Sequence, residues 1–153
     1  MGTTLAHRFL GMTALLLLPL FADTVYRTYG RWEPDGLLAA WVIHRYVDPR
    51  ARFEAVPKGR RIEQKTAINT AGALFRRTGR ETAYESTLRH FGIDDACTRR
   101  FIPVIRLLEM VPWKKVEDPS AVRFEKELRR RLETQGMAGV FEYLDRQCIK
   151  ETK

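Results

Sequence analysis

Only two cysteines and three histidines occur among the 153 residues. Cys97 and Cys148 do not have the spacing of a CxxC metal motif, and no Cys–His cluster forms along the chain. The sequence also lacks a P-loop, a dinucleotide fingerprint, a serine elbow and an HExxH zinc motif, so the common signatures of nucleotide, hydrolase and metalloprotease chemistry are missing. No internal repeat or low-complexity tract is present, which excludes a solenoid or a biased linker protein. Past residue 22 no apolar run is long enough to span a bilayer, for which about 20 residues are needed.

The N-terminus holds the one long apolar run. No acidic residue precedes Asp23, His7 and Arg8 form a short positive region, and Phe9 to Phe21 is apolar around Leu15–Leu18. Ala22 suits the position before a cleavage site. Residues 1–22 are therefore expected to be a secretory signal peptide, and the protein to be exported, periplasmic or extracellular. Leu20 is a poor residue three before the cut, so an uncleaved signal anchor is the rival reading. The absence of a cysteine after the run disfavours a lipoprotein anchor. Cleavage would leave residues 23–153 as a single domain, long enough to bury a core unaided, with no stable transmembrane span.

The chain carries a formal charge of +8, and the leader removes little of it. Such a balance points to an anionic partner: an oxyanion, an anionic lipid or polymer, or an acidic envelope protein. Nucleic acid is not expected, because export separates the protein from it. After export the two cysteines would meet oxidising conditions, and the sequence permits either one bridge between them or two buried thiols.

The periodicities predict a predominantly helical α+β fold: a small single domain with a short strand pair and four to five helices. Residues 23–33 read as an extended lead-in that Tyr26, Tyr29 and Trp32 can dock. A largely buried helix is expected over Leu37–Val47, stopped at Asp48-Pro49. Strands are expected at Ala51–Val56 and Ala73–Arg77. Thr82 and Glu85 have capping-box spacing for a helix that Gly92 ends. Asp94 or Asp95 caps the next, whose stripe is Phe101, Val104, Ile105 and Leu108, with Pro103 expected to kink it or reset its start. Asp118-Pro119 starts a helix that runs to Gln135-Gly136, with Glu125–Arg129 and Glu127–Arg131 paired on its outer face. A last helix carries Met137, Val140, Phe141, Leu144 and Cys148. Trp41, Tyr84, Phe91, Phe101 and Phe141 read as core.

The run from Asp35 through Trp41-Val42-Ile43-His44-Arg45-Tyr46-Val47-Asp48-Pro49 resembles the chromate-resistance exported protein family. The same domain forms the C-terminal half of the chromate-responsive regulator encoded beside chromate efflux pumps. The likeness continues through Ala51-Arg52-Phe53-Glu54-Ala55-Val56-Pro57, Gly72, Phe75 and Gly79, then Tyr84–Leu88, Phe91-Gly92-Ile93-Asp94 and Ile105–Glu109. Asp35, Trp41, Arg45, Asp48, Arg106 and Glu109 occupy its motif positions. The resemblance implies a role in limiting chromate accumulation. It also exposes departures: Ala39 and Ala40 replace a cysteine and a proline, Arg77 a histidine, Thr82 a second cysteine, and Glu109 an aspartate. Chemistry that needs those groups is not expected here. Nor is repression, since the DNA-binding half of the regulator is missing.

No catalytic residue, metal site or cofactor is assigned. Arg76, Arg77 and Arg80 flank a turn and are the candidate anion-binding residues, since planar guanidinium forks match tetrahedral oxyanions. A solvated surface is the plainer explanation of the same residues. The alternative function is a metal-dependent envelope enzyme using His44, Asp48 and Glu109. His44 and Asp48 would share a helix face only if the helix continued past Val47, and Asp-Pro argues that it stops. A third possibility is a structural interaction module with no chromate role.

Overall fold

The computed structural model describes residues 23–149; the expected signal peptide lies outside them. Strand β1 (Val25–Tyr29) pairs in parallel with β2 (Arg52–Val56), Tyr26 opposite Phe53 and Arg27 opposite Glu54. Parallel strands need a crossover connection, and helix α1 (Pro34–Val42) supplies it. The extended lead-in is thus a true strand. Its Val, Tyr and Thr residues favour a pleated surface, and Tyr26 and Thr28 are buried while their neighbours are half-buried.

The second strand expected at Ala73–Arg77 is corrected. That stretch contributes one isolated bridge, Ile68 to Phe75. Asn69 (φ 50°) and Gly72 (φ 77°) adopt left-handed conformations just before it, which bend the segment too sharply for a ladder. Phe75 still serves the core, lying 5.6 Å from the Phe91 ring and 6.3 Å from Tyr26.

Every residue of α1 is buried. A helix apolar on all sides belongs in the middle of a fold, and α1 packs against α2 (Ala83–Phe91), α4 (Ile102–Glu109) and α5 (Pro119–Ile149). The expected helix over Leu37–Val47 is a regular helix to Val42 followed by a π-helical turn, Ile43–Val47. The Asp48 N–H closes it on the Ile43 carbonyl at 2.8 Å, and Asp48 itself is extended before Pro49.

Asp95, not Asp94, caps the short α3 (Ala96–Arg99), accepting from the Thr98 N–H at 2.8 Å. Pro103 falls in the first turn of α4, where a missing N–H costs nothing; the proline resets the helix start. A 3₁₀ segment, Pro112–Glu117, leads into α5. Within α5 Gly136 alone leaves helical geometry (φ 67°, ψ −162°), a region that only glycine adopts freely. The expected break is there, between two helical pieces. Cys97 and Cys148 are joined, tying α3 to the end of α5 across a Cα separation of 5.1 Å.

Candidate functional site

All the motif residues but Asp48 fall into two clusters, each built around an acidic side chain. The first surrounds the N-terminus of α2. Helix starts leave backbone N–H groups without partners, and here each one is answered. The Asp35 carboxylate, reaching across from α1, accepts from the N–H groups of Ala83 and Tyr84 at 2.7 Å each. The Thr82 hydroxyl accepts from Glu85 N–H at 3.1 Å, and the Glu85 carboxylate accepts from Thr82 N–H at 3.0 Å. Arg106 of α4 then clamps Glu85 at 2.6 Å. Glu109 accepts from Asp35 N–H at 3.4 Å, and Arg77 donates to both its carboxylate and its carbonyl.

Asp35 is fully buried. Burial pushes its carboxyl up to about 6, although the amides of Tyr84 and Ala83 oppose the rise. Burial likewise raises Glu109 above the usual carboxylate value, with Arg77 working against it. Two neighbouring raised carboxyls invite an acid–base reading. The geometry argues otherwise, because every oxygen of both groups is occupied by an N–H donor. The cluster fastens α1, α2 and α4 together at one point.

The second cluster lies at the other end of α1. Asp145 accepts from the Trp41 indole N–H at 2.9 Å and pairs with Arg45. Arg45 in turn lies over the rings of Trp41 and Tyr46, at 5.7 and 5.4 Å. Buried indole N–H groups need an acceptor, so Trp41 and Arg45 are positioned by α5. Sequence reasoning missed Asp145, whose partners stand 104 and 100 residues earlier. No local pattern marks it.

The trio proposed for the metal-dependent alternative is not brought together. His44 stacks on Phe141 at 4.8 Å, its Nδ1 buried and, among the described residues, without a hydrogen-bond partner. Asp48 accepts from Arg50 N–H at 2.9 Å in an Asx turn, and Glu109 is bound up with Arg77. The π-helical turn and the extended Asp48 separate the first two, which a continuous helix would have aligned. Among the described residues no group of three His, Cys, Asp or Glu side chains is arranged to hold a metal ion.

The arginine turn is split by the structure. Arg77 belongs to the α2 cluster. Arg76 and Arg80 are exposed, and among the described residues neither makes an ion pair or a side-chain hydrogen bond. The turn between them is held by the Thr78 hydroxyl, which accepts from the N–H groups of Arg80 and Glu81 at 3.2 Å each. Glu81 is committed to a bidentate pair with Arg89, at 3.1 and 2.7 Å.

Fold and site together define a small α+β domain with one parallel strand pair, a buried central helix and motif residues that lock its helices. Among the described residues no helix is long and apolar enough to cross a membrane. The family model of the ChrB C-terminal domain matches residues 26–141, and the chain belongs to that family. Comparison with curated proteins and with solved structures gives no match.

Proposed function

We propose that this domain is exported and helps to limit chromate accumulation by holding an oxyanion at the turn between Arg76 and Arg80. Family membership supplies the link to chromate resistance. The Cys97–Cys148 bridge supports export, since such bonds persist in oxidising compartments and are rare in the cytosol. One observation carries the site: two exposed guanidinium groups, without carboxylate partners among the described residues, flank a turn bridged by the Thr78 hydroxyl. Arg77 contributes indirectly, by fastening the base of that turn to Glu109. A tetrahedral dianion offers each guanidinium a pair of oxygens.

Calorimetric titration of the mature protein with chromate, and separately with sulfate, tests the reading. Saturable heat is expected with at least one of them, weakened several-fold when Arg76 and Arg80 are both changed to alanine and further weakened by added salt. Absence of heat with both anions removes the oxyanion proposal. Export is checked separately by the compartment in which the processed chain accumulates.

A further inference from the structure

On a different face, α4 and α5 enclose a groove of about 660 Å3 that is open to solvent. Its floor is aromatic: Phe101 stacks on Phe124 with ring centres 5.9 Å apart, and Phe124 meets Tyr143 at 6.0 Å. Phe124 and Tyr143 are only partly buried, so the rings present a surface as well as a packing layer. The rim is cationic. Arg123 and Lys126 are exposed and, among the described residues, make no ion pair or side-chain hydrogen bond, though Asp118 feels the charge of Arg123. Arg100 and Arg130 also line the groove; Glu127, among the described residues the one carboxylate lining it, is taken up by Arg130 at 2.7 and 2.9 Å and by Arg131 at 2.7 Å. Counting Arg123, Lys126 and Arg130 against Glu127, the described lining carries an excess of positive charge over an aromatic bed.

We infer that this groove docks an acidic peptide segment of a partner protein, with an aromatic or branched side chain on the Phe101–Phe124–Tyr143 floor and carboxylates against Arg123 and Lys126. The volume far exceeds what a tetraoxyanion fills, and a groove open to solvent suits a peptide chain better than an enclosed small molecule. Charge complementarity supplies the orientation and the encounter rate, and the ring surface supplies the anchor. This inference does not rest on the arginine turn, which lies on other elements.

Fluorescence anisotropy with a labelled peptide, phenylalanine flanked by glutamates on both sides, provides the test. The full mature protein should bind it at low salt, with affinity falling as salt rises. Arg123→Glu together with Lys126→Glu should weaken binding on the order of tenfold or more. Both positions are exposed, and an unchanged circular dichroism spectrum and melting temperature establish that the variant is folded. Alanine at Arg76 and Arg80 should leave peptide binding unchanged. A peptide with serine in place of phenylalanine should bind more weakly. The inference is overturned by absence of binding, by binding indifferent to the charge reversals, or by equal affinity for the serine peptide. Association with anionic lipid vesicles but not with the peptide would also overturn it, in favour of a membrane surface.

Discussion

Asp35 is the residue on which most of the architecture converges. It lies in the first turn of α1, yet its carboxylate satisfies two N–H groups at the start of α2. Replacement by alanine strands both donors in a buried place, and an unsatisfied buried polar group costs about 1–3 kcal/mol. Asp35→Ala should therefore lose roughly 2–5 kcal/mol in urea unfolding. The carboxyl also makes stability depend on pH. Its folded value is raised to about 6 from an ordinary 3.8, so the folded state holds the proton more tightly than the unfolded chain. The associated stabilisation is complete below the unfolded value and is lost as pH rises through about 4 to 6. Its size is on the order of 3 kcal/mol. Asp35→Asn cannot titrate, so the wild-type slope in that window should exceed that of the variant. Equal slopes would contradict this account. Glu109, raised by burial as well, adds to the slope in the same direction.

At the scale of elements, α2 shows what local sequence achieves. Thr82, Glu85 and Gly92 stand at positions that predict its two ends, and the structure places them there, with Gly92 in the left-handed conformation (φ 65°). Thr82→Ala removes one cap bond and should cost about 1 kcal/mol, read as a lower denaturation midpoint with unchanged m-value. Gly92→Ala should cost a similar amount, about 1 kcal/mol, because a side chain is strained in that conformation. The strand pair shows the opposite. Ala73–Arg77 has an acceptable composition, but pairing depends on which segments meet, and the docked lead-in at Val25–Tyr29 takes the place beside β2. The π-helical turn after Val42 is equally invisible beforehand, because a five-residue bonding pattern has no periodic signature of its own.

For the molecule as a whole, the bond between Cys97 and Cys148 closes a loop over a separation of 51 residues. In the chain-entropy account a loop of that size contributes about 4 kcal/mol, by restricting the unfolded state. Serine at both positions should lower the melting temperature markedly, and reducing agent should do the same to the wild type and nothing to the variant. Much of this molecule was legible along the chain: helix ends follow from capping residues and prolines, the core from apolar periodicity, and the motif positions from their order. Those signals are local, since they depend on backbone groups a few residues apart. Tertiary structure alone decided what the motif residues do. Whether Arg77 faces solvent or Glu109, whether Trp41 finds an acceptor in Asp145, and whether His44 meets a carboxylate or a phenyl ring are questions of contact between distant segments. Hydrogen bonds and ion pairs depend on distance in space, and only the packing of α1 against its neighbours sets those distances.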